Sequence, residues 1–180
     1  MNKVNLKDKT FEVFISDTEI AEIVHFISNQ INNSGVKDPL FIAVMNGAFL
    51  FAADVMRKIT ISNAEISFIK LSSYEGTETT GKVDELIGFS DEISGRNIIV
   101  LEDIIDTGIT LEKIISLLKK EEVEDIKVAT LLFKPDAYTK DIHIDFIGKS
   151  IPNDFVVGYG LDYDETVSYT HLTLPTILLV

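Results

Sequence analysis

The stretch that most constrains the fold runs from residue 97 to residue 120 and reads NIIVLEDIIDTGITLEKIISLLKK. Residues 97–101 are mostly apolar and β-branched, which is typical of a strand buried on both faces of a parallel sheet. From Leu111 onward the apolar residues recur at positions 111, 114, 115 and 118, which is helical spacing. The sequence therefore predicts a strand, a short loop and a helix, a unit typical of α/β folds.

The loop predicted between this strand and helix combines acidic and small polar residues: Glu102, Asp103, Asp106, Thr107, Gly108 and Thr110. A loop in this place directs backbone N–H groups and the positive end of the helix dipole toward one point, which suits a phosphate. Adjacent carboxylates at a strand end suit sugar hydroxyls and a hydrated Mg²⁺. The ordinary alternative is that acidic residues only favour the helix N-terminus, and it explains single residues better than the whole set.

Composition narrows the class of protein. The 180 residues suit one α/β domain, and a net charge of −13 argues against a general nucleic-acid binder. The sequence has no Cys, which excludes disulfides and thiol nucleophiles and fits a cytoplasmic protein. No apolar run reaches the length of a membrane span, so we predict a soluble, cytoplasmic protein that binds neither membrane nor nucleic acid.

The rest of the chain alternates strand and helix patterns. Ser16 and Glu19 form a predicted capping box before a helix whose apolar stripe ends at Ile31, and a second helix is predicted over 49–58. Further strands are predicted over 11–15, 40–45, 64–71, 127–133 and 143–147. This order predicts an α/β fold with a mostly parallel central sheet and helices on both faces.

The segment VLEDIIDTGITL, residues 100–111, resembles the phosphoribosyl-diphosphate (PRPP) signature of the type I phosphoribosyltransferases. From about residue 11 to residue 165 the chain is similar to their hypoxanthine-guanine branch. The resemblance implies a small hood and a flexible active-site loop beside the central sheet. It also implies purine salvage: Mg²⁺-dependent transfer of ribose 5-phosphate from PRPP to N9 of hypoxanthine, and of guanine, with release of pyrophosphate.

The resemblance also implies a role for each matching residue. Asp106 is the catalytic acid/base, and the flexible loop includes Ser73 and Tyr74. PRPP and its ribose phosphate are bound by Glu102, Asp103, Asp106, Thr107, Gly108, Ile109 and Thr110, and pyrophosphate by Asn46 and Gly47. The purine is bound by Lys134, Phe155, Val156 and Asp162, and the metal by Glu102, Asp103 and Asp162.

The chain departs from the family pattern at two places. Asn46 stands where the family commonly has Lys or Arg, so the resemblance implies backbone contacts there, on a Met45–Asn46 peptide expected to be cis. Residues 166–180, TVSYTHLTLPTILLV, contain no Arg, whereas the family continues with an Arg that contacts pyrophosphate. We therefore predict one domain over 1–165 and a substituted or artefactual tail over 166–180.

Two other functions stay open on the sequence. One is an enzyme that prefers another base such as xanthine; adenine is disfavoured because the Lys134 ammonium can only donate hydrogen bonds. The other is a non-catalytic regulator of the same fold that senses nucleotides. It would need a basic face or an added DNA-binding domain, and we expect neither in this acidic single domain. The expected partners are PRPP and a 6-oxopurine, in a homodimer or homotetramer.

Overall fold

A twisted, mostly parallel sheet forms the centre of the molecule. The structure, a computed structural model, describes residues 3–6, 9–71, 85–87, 93–161 and 176–179. Within these residues the central sheet has strands β3 (Leu40–Val44), β4 (Glu65–Leu71), β5 (Glu85–Ile87), β6 (Asn97–Ile105), β7 (Asp125–Phe133) and β8 (Phe146–Ser150).

The strand order of this sheet is β5-β4-β3-β6-β7-β8. All neighbours pair in parallel except β4 and β5, which are antiparallel at the edge. Strand β6 lies between β3 and β7, and its residues 98–101 are fully buried. The apolar run over residues 97–101 is therefore part of the central strand, as its composition predicts.

Helices cover both faces of the sheet. Helices α1 (Asp17–Asn32) and α2 (Phe49–Met56) pack with alternate strand residues such as Phe41 and Ile99. Helix α3 (Ile109–Lys120) packs with the residues that point the other way, such as Ile42 and Val100. The period-two alternation of each buried strand thus supplies two separate apolar layers.

A second, smaller sheet corresponds to the predicted hood. Strands β1 (Lys3–Leu6), β2 (Lys9–Ile15), β9 (Val156–Val157) and β10 (Thr176–Leu179) pair in the order β1-β2-β10-β9. Strand β10 lies in the segment expected to be atypical, and it runs antiparallel to both β2 and β9. The division of the chain at residue 165 stays a prediction.

The structure corrects several predicted boundaries. Glu102 and Asp103 lie inside β6, because pairing with β7 continues from Glu102–Thr130 to Ile105–Phe133. The last strand of the sheet begins at Phe146 instead of residue 143. Ser16 does cap α1, accepting from the Glu19 N–H at 3.2 Å, but the Glu19 side chain pairs with Lys149.

No helix within the described ranges is long and apolar enough to cross a membrane.

We predict that Ile99→Ala destabilises the fold much more than Ile66→Ala. Ile99 is 0% exposed at the centre of β6, so truncation should cost about 2–5 kcal/mol of unfolding free energy. Ile66 lies on β4 and is 37% exposed, so its truncation should lower the unfolding free energy by about 1 kcal/mol or less. Urea unfolding of both variants measures the difference. Equal losses would contradict the burial of β6.

Candidate active site

The carboxyl ends of the parallel strands open into one cavity. Because β3, β4, β6 and β7 run in the same direction, the residues that follow them meet at the same edge of the sheet. The cavity has a volume of about 730 Å³, within the range of small-molecule sites. It is lined by Val44, Met45, Asn46, Gly47, Lys70, Glu102, Asp103, Ile104, Asp106, Thr110, Lys134, Phe155, Val156, Gly160 and Leu161.

The loop between β3 and α2 forms one wall of the cavity. Its Met45–Asn46 peptide is cis, as predicted. A Cβ at Gly47 would collide with the Asp103 carboxylate, and a Cβ at Gly160 would collide with the Gly47 carbonyl oxygen. The backbone of Gly47 therefore lies between a carboxylate from the central strand and the hood, with no room for a side chain at either glycine.

An adjacent pair of carboxylates lies on β6 at the floor of the cavity. Glu102 is only 6% exposed, and burial, followed by the negative charge of Asp103, raises the pKa of its carboxyl well above the ordinary value. Asp103 is less buried, and its Oδ1 accepts from the Ile104 N–H at 2.9 Å. Burial and the neighbouring Asp103 charge both disfavour ionisation of Glu102 beside an ionised Asp103. Hydroxyl donors or a cation would therefore stabilise the ionised pair.

Lys134 and Asp106 meet across the cavity. Lys134 follows β7 and is 7% exposed, yet its Nζ donates to Asp106 Oδ2 at 2.8 Å. The Lys134 backbone N–H also donates to the Ile105 carbonyl at 3.0 Å, which fixes the residue beside the end of β6. A buried donor-only group and a partly exposed acceptor-only group are thus placed side by side.

The loop from Asp106 to Gly108 leads into α3 and encloses a smaller cavity of about 90 Å³. That cavity is lined by Glu102, Ile104, Ile105, Asp106, Thr107, Gly108, Ile109, Thr110 and Leu111. Gly108 is the N-cap of α3 with a φ of 81°, and no side chain caps the helix. The first-turn N–H groups and the helix dipole therefore remain available to an anion.

Residues that the sequence analysis missed support this loop from outside. The backbone N–H and the hydroxyl of Thr139 donate to the Thr107 carbonyl at 3.3 and 3.2 Å. A Cβ at Gly108 would collide with the Tyr138 ring, which stacks edge-on against Phe133. Only contacts across the fold reveal these supports, because residues 138–139 show no local pattern.

The predicted residues that the structure describes come together at these two cavities. Asn46, Gly47, Glu102, Asp103, Asp106, Thr110, Lys134, Phe155 and Val156 line the larger one, and Thr107, Gly108 and Ile109 line the smaller. Phe155 is 44% exposed at the cavity, whereas Val156 is buried in β9. Asp162, Ser73 and Tyr74 lie outside the described residues.

The acidic pair fits Mg²⁺ of the kind that is bound mostly through substrate and water. The described residues contain no group of three or more His, Asp or Glu side chains placed to enclose an ion. Mg²⁺ commonly uses one or two carboxylates and takes its other ligands from phosphates and water. Glu102 and Asp103 supply that number, in a site where positive charge would relieve the raised pKa of Glu102.

Comparison with known proteins decides the family. The phosphoribosyl transferase domain model matches residues 15–164. The chain belongs to the phosphoribosyltransferase family.

Individual relatives place this phosphoribosyltransferase near the hypoxanthine branch. It is 39% identical to hypoxanthine phosphoribosyltransferase of Buchnera aphidicola over 89% of this chain and 92% of the relative. It is 38% identical to the Escherichia coli protein of the same name, over 91% of this chain and 92% of that relative. A crystal structure of a Bacillus anthracis hypoxanthine-guanine phosphoribosyltransferase superposes with a TM-score of 0.81 at 37% identity, covering 94% of this chain and 96% of that chain.

Two further features of this phosphoribosyltransferase have no sequence signal. Lys70, at the end of β4, lines the cavity and donates to Asn46 Oδ1 at 3.2 Å. Tyr159 donates from its hydroxyl to Asp54 Oδ2 on α2 at 2.6 Å, and burial followed by this contact raises the pKa of Tyr159. The hydroxyl therefore stays protonated and joins the hood to the helix after the Asn46–Gly47 loop.

We predict that Gly160→Ala abolishes most of the activity, whereas Gly35→Ala retains it. Both glycines have positive φ, 99° and 78°, so both variants bear the backbone cost of an L side chain, about 1–2 kcal/mol. Only the Gly160 Cβ meets another group, the Gly47 carbonyl, whereas Gly35 has open space. Steady-state kinetics with thermal unfolding separate the two effects. Equal activities at equal folded fractions would contradict the close contact at Gly47.

Proposed function

We propose that the protein transfers ribose 5-phosphate from PRPP to N9 of hypoxanthine, and of guanine, in purine salvage. The observation that carries the proposal is the Lys134–Asp106 pair in a cavity that also holds an acidic pair and an uncapped helix N-terminus. The identities of 35–39% to proteins named hypoxanthine or hypoxanthine-guanine phosphoribosyltransferase support the same reaction.

The Lys134–Asp106 pair matches one edge of a 6-oxopurine. In the tautomer with N7 protonated, O6 accepts and N7–H donates on adjacent positions of that edge. The Lys134 ammonium donates to O6 and the Asp106 carboxylate accepts from N7–H, so each group meets its complement. Adenine would place an amino group before the ammonium, opposing two donors, and the pocket disfavours it. The exposed Phe155 ring stacks on the face of the base.

The sugar phosphate is fixed at the other side of the cavity. Residues 106–110 bind the 5-phosphate through backbone N–H groups and hydroxyls, and Glu102 and Asp103 accept from the ribose hydroxyls. N9 then bonds to the anomeric carbon as the bond from that carbon to pyrophosphate breaks. The N7 proton moves to Asp106, which leaves a neutral nucleotide base.

Glu102 and Asp103, with Asp162, would hold the Mg²⁺ that PRPP carries. When bound, the ion neutralises charge on the departing pyrophosphate. The Asn46–Gly47 loop receives that pyrophosphate, and Ser73 and Tyr74 are proposed to belong to a loop that excludes water from the reacting sugar. Assembly as a homodimer or homotetramer, which the resemblance implies, and a cytoplasmic location stay predictions.

The proposal predicts a ranked set of substrates. Protein, PRPP and Mg²⁺ are mixed separately with hypoxanthine, guanine, xanthine, adenine and orotate, and nucleotide formation is followed by absorbance. We expect turnover of hypoxanthine and guanine that EDTA abolishes and excess Mg²⁺ restores. Turnover of xanthine in preference to hypoxanthine would favour the alternative specificity. Turnover of adenine or orotate alone, or of no base, would contradict the proposal.

Asp106→Asn tests the acid/base role. We expect kcat to fall by about 10²–10⁴, the usual contribution of a positioned acid/base, with a much smaller change in PRPP affinity. Asp136→Asn is the matched control, because this substitution changes the net charge by the same amount. Asp136 is exposed and lies two residues after Lys134. Asp106→Asn also removes the ion-pair partner of the Lys134 ammonium, so the thermal unfolding of this variant is measured alongside its kinetics. Equal losses in kcat and in PRPP affinity would reduce Asp106 to a binding residue.

A further inference from the structure

Lys70 lies beside the loop that follows β3. The Met45 N–H donates to the Ile69 carbonyl at 2.8 Å, which joins the carboxyl end of β4 to the start of that loop. The next residue, Lys70, directs its ammonium to Asn46 Oδ1 at 3.2 Å and lines the larger cavity. The strand pairing of β3 with β4 therefore places a cation at the loop from a neighbouring strand.

The charge of Lys70 is not neutralised by the part of the chain that the structure describes. The cavity lining there contains two cations, Lys70 and Lys134, and Lys134 forms an ion pair with Asp106. Lys70 makes no ion pair with a described residue, and its hydrogen-bond partner is a neutral amide. An ammonium has three donors, so two remain for a ligand or water.

The adjoining backbone offers a second donor. Within the described ranges, the Gly47 N–H donates to no backbone carbonyl, although the N–H groups of Met45, Ala48 and Phe49 all do. Gly47 also lines the cavity that Lys70 lines. A backbone N–H and an ammonium from residues that line the same cavity beside one loop suit an anion with several oxygens.

We propose that Lys70 supplies the positive charge that binds the pyrophosphate group of PRPP and the released pyrophosphate. The inference rests on the proposed function. Lys70 gives this acidic cavity a cation at the Asn46–Gly47 loop, where the loop itself carries a neutral Asn46. The charge is thus delivered from β4 while the loop contributes backbone donors.

A simpler role for Lys70 is to tether the loop through the Asn46 hydrogen bond. Three substitutions separate the two roles. Lys70→Gln keeps an N–H donor without the charge, Lys70→Arg keeps the charge, and Lys70→Met removes both. Lys113→Gln is the control, because Lys113 lies exposed on α3 and makes the same change in net charge.

The measurements are KM for PRPP, KM for hypoxanthine, and the affinity for Mg²⁺-pyrophosphate by calorimetry. We expect Lys70→Gln and Lys70→Met to weaken PRPP and pyrophosphate binding about tenfold, as the loss of one charge-assisted hydrogen bond implies. KM for hypoxanthine should stay near the wild-type value, as should all constants of Lys113→Gln. Lys70→Arg keeps the charge and should retain most of the affinity for PRPP and pyrophosphate. The wild-type affinity for pyrophosphate should fall more steeply with salt than that of Lys70→Gln.

Two results would overturn the proposal. Normal PRPP and pyrophosphate binding by Lys70→Gln, with a loss only in Lys70→Met, would assign Lys70 the tethering role. Equal constants in all four variants would assign it no role. If the wild-type protein converts no purine, the proposed function fails separately, and the calorimetry of pyrophosphate still decides whether Lys70 binds it.

Discussion

The parallel pairing of β6 with both β3 and β7 is the constraint on which the site depends. Backbone hydrogen bonds fix the three strands in register, so their carboxyl ends lie at one edge of the sheet. Each end delivers a different group: the Asn46–Gly47 loop after β3, the acidic residues at the end of β6, and Lys134 after β7. The apolar layers on both faces stabilise that register, because a slip of one residue would turn every buried side chain of β6 to the opposite face.

The charge distribution of the cavity limits how an anion could bind there. Glu102, Asp103 and Asp106 bring three carboxylates to the cavity of a chain whose net charge is −13. Burial makes the charge on Glu102 costly, as the raised pKa of its carboxyl shows. A polyphosphate can enter such a site only with a cation and local donors. In the proposed function, the N-terminus of α3 and Lys70 would supply the donors, and Mg²⁺ held by Glu102 and Asp103 would supply the cation.

Local patterns predicted the parts of the site that depend on neighbouring residues. The order of strand, loop and helix over 97–120 is correct, as is the cap at Ser16. The cis peptide before Asn46, which the resemblance implies, is also confirmed. The family and the fold that the resemblance implies are confirmed. The errors arise where distant pairing decides: β6 runs four residues beyond Leu101 because β7 continues to pair with it. Lys70 carries no motif, because its place at the loop depends on β4 lying beside β3.

The contact between the hood and the loop after β3 links two parts of the cavity wall. Three consecutive residues, Gly158, Tyr159 and Gly160, have positive φ, which is uncommon for a tyrosine. The hydrogen bond from Tyr159 to Asp54 stabilises that conformation and brings the Gly160 backbone against the Gly47 carbonyl. Strand β9, with Val156 lining the cavity, directly precedes this turn. Under the proposed function, a displacement of the loop proposed to receive pyrophosphate would move the segment proposed to position the purine, so one packed unit would set the geometry between leaving group and nucleophile.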